Sequence, residues 1–468
     1  MSVTERQVAA GNRTLAADPR RWELGRARWA RAAAVYVMLL AFSFLFTGPF
    51  LFAVLSSLKD NPTEWPPRLD PPQLSPVNWG AAWRLGRTGG GGGFFGAFAP
   101  GAVVPFRVTY ELEEGETAVP PIVTVPRRVA GAGAAALRLE PFAADAAKVS
   151  EPREVGREAV GSTTHVTYEF EISHTGTMTY NKLPLDVEVP LYQKFVKATL
   201  SPNRIERLGR VQSWNNITGG LIPYVFQNYN RVFRENYSRS TGRSLFLTWI
   251  RNSLLVAAVR VLTTLLIASM AGYALARLRF RGRQALFVLT LFSMMIPGQV
   301  TFISNYLVLR DGIFGLSRLF GAGSLLNTWP GFLISTMVGG SAVFIMKQFF
   351  EGLPKDLEES ARIDGATTIQ TFFRIMLPLS KPALGALAIL TFQGAWNEFF
   401  WPLIVLTSPQ DRYTLTIGLL NFRSSYAVAF DWGPMLAGAV VSALPIIVLF
   451  VVFQRYFVEG ISFTGIKG

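Results

Sequence analysis

The sequence predicts a membrane protein of the all-α class, with six transmembrane helices and a β-rich extracytoplasmic domain inserted between helices 1 and 2. Of the 468 residues, 50% are apolar and only 16% are charged, whereas soluble domains average about a quarter charged residues. Six apolar segments are long enough to cross a hydrocarbon core of about 30 Å as helices. A long polar segment separates the first two of them.

The predicted transmembrane helices cover residues 33–58, 248–276, 285–309, 327–350, 383–407 and 434–457. Arginines precede the first helix, as in a signal peptide. The end of this helix is bulky where a cleavage site needs small residues, so we expect it to be retained. Because six is an even number, both ends of the chain should lie on the same side of the membrane.

The distribution of positive charge identifies that side. The flanks on the side of the chain ends hold 18 lysines and arginines, and the opposite short loops hold four. Positive residues collect on the cytoplasmic side of membrane proteins. We therefore expect residues 1–32, the loop 351–381 and the tail 458–468 in the cytoplasm. The net charge of +14 then reflects topology, and nucleic acid is excluded as a partner because the basic residues form no single patch.

Residues 59–247, between the first two helices, predict a separate extracytoplasmic region, because ordinary loops are much shorter. Apolar and polar residues alternate in two stretches of an insertion at residues 84–227, which is typical of half-buried strands. The apolar members are Phe106, Val108, Tyr110, Leu112, Val166, Tyr168, Phe170 and Ile172. Glycines 89–93 predict a flexible tether. A phosphate-binding loop is disfavoured there, since no Lys-Ser or Lys-Thr follows.

Residue usage limits the chemistry of the chain. There is no cysteine, and His165 and His174 are the only histidines. Disulfides, cysteine nucleophiles and cysteine-based metal sites are therefore excluded. Two histidines without further ligands predict no metal site, and no nucleotide-binding motif is present. We expect no catalytic residue, and no metal or other cofactor bound by this chain.

The loop 351–381 has an unusual pattern for a connection between membrane helices. Asp356 can cap a helix that has Glu359 three positions later, and Gly365 permits a turn. A second amphipathic stretch then leads to Leu377-Pro378. The pattern predicts two short helices along the cytoplasmic face. An amphipathic hairpin resting on lipid headgroups explains the same spacing equally well.

The loop also carries a family motif. Glu359-Ser360-Ala361, Gly365, Ile375 and Leu377-Pro378 follow at fixed spacing. This resembles the Glu-Ala-Ala signature in permease subunits of ATP-binding-cassette (ABC) importers, with Ser360 replacing the middle alanine. Other segments resemble carbohydrate-type permeases, the group of the maltose permease G subunit. These are Asn252-Ser253-Leu254, Pro297-Gly298-Gln299, Ala361-Arg362-Ile363-Asp364-Gly365 and Trp396-Asn397-Glu398. The insertion has no recognised counterpart in that group.

The resemblance implies the type I permease fold of ABC importers and a place in a transport complex. Such a chain forms half of a transmembrane pathway for a sugar in the cell membrane. Its expected partners are a homologous second permease, two ATPase subunits that use ATP and Mg, and an extracytoplasmic solute-binding protein. The loop would couple the permease to an ATPase, and the chain itself would be non-catalytic. The coupling residues would be Glu359, Ser360, Ala361, Asp364, Gly365, Ile375, Leu377 and Pro378.

Polar residues inside membrane helices are candidates for the substrate path. They are Trp396, Asn397, Glu398, Asn252, Gln299 and Asn305. Aromatic rings beside planar polar groups suit a sugar, but an interfacial aromatic belt and a helix-joining Asn397 explain the Trp396–Glu398 cluster equally well. Pro297-Gly298 predicts a kinked helix that lines a cavity, since the carbonyl groups it frees need a partner.

Arg260 lies near the middle of the second predicted helix, where an isolated charge in lipid costs about 3 kcal/mol or more. Three explanations are open: snorkelling to the interface, an ion pair with Glu398, and an ion pair with a carboxylate of a partner subunit.

Three alternative functions are also open. A permease for a non-sugar solute fits the same motifs. An ion-gradient-driven secondary transporter would need broken-helix repeats and several intramembrane carboxylates, and a membrane-anchored sensor would not need six helices with a docking loop.

Overall fold

The computed structural model describes most of the chain between Pro19 and Ser462. The described residues are 19–59, 71–96, 98–124, 147–175, 182–200, 205–208, 210–234, 236–238, 240–311, 318, 321, 323–426 and 432–462. Parts of the predicted cytoplasmic termini, residues 1–18 and 463–468, lie outside this description. The chain divides into two units, Met1–Leu55 and Ser56–Gly468.

Helices dominate both ends of the chain. They are α1 (Pro19–Ser57), α2 (Pro76–Thr88), α3 (Leu221–Val225), α4 (Gln227–Arg234), α5 (Leu245–Arg277), α6 (Arg283–Met295), α7 (Gly298–Asp311), α8 (Trp329–Ile334), α9 (Gly340–Gly352), α10 (Asp356–Ile363), α11 (Thr368–Thr371), α12 (Leu377–Leu379), α13 (Lys381–Asn397), α14 (Phe400–Val405), α15 (Leu415–Tyr426) and α16 (Trp432–Ser462). Short 3-10 helices lie at Pro72–Leu74 and Gln410–Arg412, and a π-helical turn, Phe372–Met376, joins α11 to α12.

Among the described residues, three helical stretches are long and apolar enough to cross a membrane: Ala32–Ser57 in α1, the whole of α5, and Trp432–Phe453 in α16. Two bent pairs raise the number to as many as five. The side chains of α1 between 32 and 52 are almost all exposed although they are apolar. Such a surface is expected where lipid surrounds a helix.

Three predicted transmembrane helices are not continuous, which corrects the sequence-based boundaries. The third divides into α6 and α7, which are bent by 104° at Ile296-Pro297. The fourth divides into α8 and α9 at residues 335–339, and the fifth into α13 and α14 after Asn397. Pro297 lacks an amide hydrogen, and Gly339 and Gly340 lower helix propensity, which accounts for the first two breaks.

The middle of the chain forms two antiparallel sheets. Their strands are β1 (Val103–Glu113), β2 (Ile122–Thr124), β3 (Ala147–Val149), β4 (Arg153–Val160), β5 (Thr163–His174), β6 (Lys182–Pro190), β7 (Lys194–Ala198), β8 (Ile205–Leu208) and β9 (Val211–Thr218). In the first sheet, β5 pairs with β1, which pairs with β7, while β3 and β4 both pair with the other edge of β5. The second sheet has the order β2-β6-β9-β8.

The two sheets share one apolar core, and this core contains the residues that the alternating pattern identified together with others such as Val187 and Trp214. All eight apolar side chains predicted to point inward from β1 and β5 are buried. Trp214 from β9 packs on Phe106 at 5.7 Å between ring centroids, and Phe106 packs on Phe170 at 5.5 Å. The Trp214 indole donates a hydrogen bond to the Tyr110 hydroxyl at 3.2 Å, so this buried polar pair is satisfied.

The glycine run is packed against its neighbours, so the prediction of a flexible tether is wrong. Within the run, a Cβ atom added to Gly93 would overlap Nε1 of Trp83. Just outside the run, one added to Gly86 would lie 2.7 Å from the amide nitrogen of Gly220, and one on Gly96 would lie 2.7 Å from the Gly86 Cα. The Leu221 amide also donates to the Gly93 carbonyl at 2.9 Å. These glycines therefore allow backbones to touch where α2 and α3 meet.

Helix α5 is the centre of the helical part and contacts α9, α13 and α15. Gly272 brings its backbone against α9, since an added Cβ would lie 2.7 Å from the Met346 Cβ. At the other end of α5, the Trp249 ring covers Gly418 of α15. Small residues at these crossings let helices approach closely, as is usual in membranes.

Candidate functional site

The loop between α9 and α13 is the strongest candidate for a functional site. Its first helix, α10, begins with three acidic residues, Asp356, Glu358 and Glu359. Carboxylates near a helix N-terminus are stabilised by the helix dipole. The predicted cap is wrong by one position: Lys355 is the N-cap residue, and Asp356 already lies within the helix.

Gly365 ends α10 in a left-handed conformation with φ of +78°, so the predicted turn is confirmed. The Ala366 amide donates to the Ala361 carbonyl at 2.9 Å, and the Gly365 amide donates to the Arg362 carbonyl at 3.0 Å. This pair of bonds is a Schellman motif, which satisfies carbonyl groups that a helix end leaves free. The glycine of the family motif therefore has a role in backbone geometry within this chain.

A capping box starts the second half of the loop. The Thr367 hydroxyl accepts from the Gln370 amide at 3.3 Å, and the Gln370 side chain accepts from the Thr367 amide at 2.9 Å. The chain then runs through α11, the π-helical turn and α12, and bends by 75° into α13. The two halves of the loop are thus each fixed by local hydrogen bonds.

The loop exposes both polar and apolar side chains. Ala361 and Met376 are buried and hold the loop to the helices, while Ile375 and Leu377 are partly buried. The exposed motif residues are Glu359, Ser360, Asp364, Gly365 and Pro378. Ile363 is 86% exposed, Ile369 70% and Phe373 47%. Large apolar side chains that are exposed within one short loop indicate an interaction surface.

A buried ion pair links this loop to α5. Arg277, at the end of α5, lies 3.5 Å (Nε) from the Glu358 carboxylate (Oε1), and their side chains are only 5% and 9% exposed. Arg277 also donates hydrogen bonds to the Phe350 carbonyl, at 2.9 Å from Nε and 2.6 Å from Nη2, and to the Leu353 carbonyl. One guanidinium thus ties the end of α9 and the start of α10 to the end of α5.

The sequence pattern did not single out Glu358, and Arg277 counted there only as a cytoplasmic basic residue and as part of a segment typical of the family. Glu358 and Glu359 are neighbours, and their spacing from other residues does not indicate which of them faces inward. The face of the helix indicates which one is buried. Glu358 and Ala361 are three positions apart, so they share one face, and they are the buried residues of α10. That i, i+3 pair is the signal from which Glu358 could have been identified.

The candidate path residues fall into different environments. Trp396 is buried at 3% exposure, where its indole donates to the Ser442 carbonyl of α16 at 3.0 Å and its ring stacks on Phe392. Asn252 is buried and donates to the carbonyls of Asp411 and Tyr413, at 2.7 and 3.0 Å. Both side chains thus hold elements together in this conformation.

The other path candidates are more accessible. Asn397 and Asn305 are exposed, and Glu398 is partly exposed. Gln299 belongs to α7, but its side chain lies outside the described residues. Trp401, which neighbours this cluster, is buried and donates to the Ser335 hydroxyl at 2.7 Å, so its indole is not aimed at a membrane interface.

Arg260 faces Glu398 across the junction of α5 and the segment between α13 and α14. Nη1 of Arg260 and Oε2 of Glu398 are 4.0 Å apart, at the outer limit of an ion pair. Glu398 is positioned further by its carbonyl oxygen, which accepts from the Thr416 hydroxyl at 2.7 Å. Of the three explanations for Arg260, pairing with Glu398 is the one for which this chain offers a contact.

In the part of the chain that the structure describes, no three His, Asp or Glu side chains are grouped so that they could hold a metal ion. His165 and His174 both lie on β5. This strand pairs with β1 at eleven positions, from Thr163 to Ser173.

Comparison with known proteins identifies the family. Residues 265–462 match the family described as the binding-protein-dependent transport system inner membrane component. The arabinooligosaccharides transport system permease protein AraQ of Halalkalibacterium halodurans is 41% identical over 228 residues, which cover 49% of this chain and 77% of AraQ. The trehalose/maltose transport system permease protein MalG of Thermococcus litoralis is 34% identical over 252 residues, which cover 53% of this chain and 84% of MalG.

Among solved structures, a bacterial ABC transporter involved in the import of the acidic polysaccharide alginate matches with 26% identity and a TM-score of 0.40, over 50% of this chain and 79% of that chain.

The chain is therefore an inner membrane component of an ABC transport system. It belongs to the binding-protein-dependent transport system inner membrane component family. The resemblance to ABC importer permeases, first drawn from the loop motif, is confirmed. It follows that the chain has the permease fold with several apolar helices, that it passes the membrane more than once, and that it works with a solute-binding protein. Its relatives are transport permeases, so at the level of the family it is a transport subunit and not an enzyme.

Proposed function

We propose that this chain is the permease subunit of an ATP-driven importer, forms half of a transmembrane pathway for a sugar, and is coupled to a separate ATPase through the loop between α9 and α13. The observation that carries the proposal is this loop. It combines two locally fixed turns, a surface of exposed apolar side chains and an exposed carboxylate, Glu359.

A carbohydrate is the solute class that the relatives favour. They include permeases named for arabinooligosaccharides, for trehalose and maltose, and for diacetylchitobiose. The partly exposed Glu398, beside exposed Asn397 and Phe400, offers hydrogen-bonding groups and an aromatic face to a sugar. A permease for another solute is the alternative.

We infer six membrane crossings, with both chain ends in the cytoplasm. The long helices α1, α5 and α16 supply three. The broken segments α6–α7, α8–α9 and α13–α14 supply the others, and their non-helical backbone is acceptable where protein or a water-filled pathway satisfies it. Residues 59–247 then lie outside the cytoplasm and carry both sheets as an insertion.

The contacts of Arg277 support a route for this coupling. When an ATPase subunit moves the surface of α10, the Glu358–Arg277 pair and the carbonyl bonds of Arg277 transmit that movement to α5. Helix α5 carries Arg260, which faces Glu398 near the proposed pathway. A second, homologous permease, two ATPase subunits and an extracytoplasmic sugar-binding protein complete the assembly. ATP and Mg would be bound by the ATPase subunits.

The docking role of the loop is tested with an Ile363→Asp variant. Ile363 is 86% exposed, so the change does not disturb the core of this chain. We expect the ATPase subunit to co-purify at roughly one tenth of the wild-type level or less, since a carboxylate in a desolvated contact costs more than 1.4 kcal/mol. The matched control is Val160→Asp on β4, which is also exposed and should leave co-purification unchanged. Wild-type co-purification and wild-type ATP-driven uptake with Ile363→Asp would disprove the assignment.

A further inference from the structure

An aromatic groove lies next to the glycine contact of α2 and α3, far along the chain from the ATPase-coupling loop. We call it the outer groove, and its main lining residues are Phe95, Ile222, Phe226, Tyr229 and Phe233. Its volume is about 290 Å³, and none of its lining residues is charged. Phe95 is 74% exposed, and Phe94, beside it, is 60% exposed. Exposed aromatic side chains of this size need a partner that removes them from water.

Two sets of contacts place the outer groove at the ends of membrane-spanning helices. The Asn228 side chain donates to the carbonyls of Ser57 and Lys59, at 2.9 and 2.8 Å, and the Tyr229 hydroxyl lies 2.7 Å from that of Ser57. Ser57 is the last residue of α1. Tyr229 therefore lies where the first membrane span ends.

The second set involves α5. The Phe233 ring packs edge to face on Phe246 at 5.2 Å, and Phe246 is the second residue of α5. The coupling loop contacts the opposite end of α5, through Arg277. A helix of 33 residues is about 50 Å long, which exceeds the hydrocarbon thickness of a bilayer. The outer groove thus lies at the end of α5 opposite to Arg277 and the loop between α9 and α13.

Backbone contacts fix the exposed aromatic residues in this position. The Leu221 amide donates to the Gly93 carbonyl at 2.9 Å, and the Ile222 amide donates to the Phe94 carbonyl at 3.0 Å. The close approach of Gly86, Gly96 and Gly220 leaves no space in which this segment could rotate. Phe94 and Phe95 are therefore held outward by their backbone and cannot fold into the core of the sheets.

We propose that the outer groove and the neighbouring Phe94 are embedded in the outer leaflet of the membrane and anchor the base of the sheet-bearing insertion to lipid. Aromatic side chains are enriched at the level of lipid headgroups, where their rings are apolar and their edges polar. An uncharged groove at the end of two spans suits lipid chains and the glycerol region. This inference rests on the proposed membrane topology, and it does not depend on which solute is carried.

The anchor is tested by site-directed spin labelling. The chain contains no cysteine, so Phe95→Cys and Phe226→Cys each give a single labelling site, and Val155→Cys on exposed β4 is the control. The labelled chain is assembled with its partner subunits in nanodiscs of phosphatidylethanolamine and phosphatidylglycerol. Collision with oxygen reports lipid, and collision with a water-soluble nickel chelate reports water.

We expect the ratio of oxygen to nickel accessibility at positions 95 and 226 to exceed that at position 155 by roughly threefold or more, as for side chains 5–10 Å inside the interface. Equal ratios at all three positions would overturn the proposal, because the groove would then be open to water. Low accessibility to both reagents would overturn it as well, since a protein subunit or bound sugar would then cover the groove. ATP-driven uptake by the same labelled complexes is measured separately, so that a failure of the transport assignment is not mistaken for a failure of the anchor.

Discussion

Gly365 is the residue at which the family motif has the clearest physical explanation. Its φ of +78° is accessible to glycine at little energetic cost, whereas other residues lose about 1 kcal/mol or more. A Cβ atom added there would meet nothing within 4 Å in this chain. The sequence predicted a turn at this position, and the Schellman bonds explain why the turn needs glycine.

Two substitutions at Gly365 separate backbone strain from contact with a partner. Gly365→Ala should weaken the end of α10 by about 1 kcal/mol, and Gly365→Asn should weaken it less, because asparagine tolerates the left-handed conformation better. We expect ATP-driven uptake to fall in the order glycine, asparagine, alanine, with membrane insertion unchanged in all three proteins. If asparagine and alanine are equally damaging, the added atoms obstruct a partner and backbone strain is not the cause.

The prediction that Asp356 caps α10 was less accurate. Its spacing from Glu359 fits a capping box, but the chain forms its capping box eleven residues later, at Thr367 and Gln370. Both segments satisfy the spacing rule, and the choice depends on how the preceding Pro354-Lys355 turn leaves α9. That turn is set by tertiary packing, which local spacing does not contain.

At the scale of elements, the junction of α5, α9 and α10 depends on one ion pair. Arg277 and Glu358 are both buried, and removing one charge from a buried pair leaves the other uncompensated. Arg277 has carbonyl partners as well, so the loss of Glu358 should be partly offset. The pair should therefore affect both the stability of the junction and the transmission of movement.

We expect Glu358→Gln to destabilise the purified chain by about 1–3 kcal/mol, because a buried charged contact is lost. Its melting temperature in detergent should fall by several degrees. Glu359→Gln is the matched control: this neighbour is exposed, so its melting temperature should stay within about 1 °C of the wild type. In the assembled transporter, Glu358→Gln should lower sugar transport per ATP hydrolysed. Identical melting temperatures for the two variants would contradict the role of the pair.

The helices show why some element boundaries could be predicted and others could not. Continuous apolar segments predicted the apolar parts of α1, α5 and α16, and the ends of these parts differ from the prediction by a few residues. The break between α8 and α9 was missed because its signal is Gly339-Gly340, and glycine is common in membrane helices. The break at Pro297 was predicted as a kink but is a bend of 104°. An apolar pattern indicates which residues avoid water, and it does not indicate whether the backbone between them is continuous.

Considering the chain as a whole, the two sheets between α2 and α3 lie outside the family match, which begins at residue 265. The alternating apolar residues indicated strands, and the strands are present. The packing of the glycine run could not be predicted, because glycine-rich composition is the same in a tether and in a close backbone contact. A tether differs from a close backbone contact here through the approach of Gly86 to Gly220. These two residues are 134 positions apart in the chain.

We propose that the sheets, as an extracytoplasmic insertion, help to dock the solute-binding protein, with a stabilising cap on the second permease as the alternative. A deletion distinguishes these two roles. Residues 97–219 would be replaced by a short Gly/Ser turn that joins Gly96 to Gly220, whose backbones are already in contact. We expect the shortened chain to insert, to assemble with its ATPase and to hydrolyse ATP, and we expect the affinity for the solute-binding protein to fall roughly tenfold, as for the loss of about 1.4 kcal/mol of contacts. Unchanged affinity would show that the insertion does not help to dock the binding protein. A variant that carries the same turn inserted at Gly161, a hairpin tip on the sheets, controls for the added residues.

The contact between Gly96 and Gly220 has a consequence for how this protein could have arisen. The chain leaves the helical part and returns to it at nearly the same point, so the sheets form a side branch of the helical scaffold. A branch of this kind can be acquired, lost or exchanged without changing the distance between α2 and α3, which is the usual condition for a tolerated domain insertion. The three glycines at its base, Gly86, Gly96 and Gly220, thus mark a joint at which other domains could be grafted onto a permease.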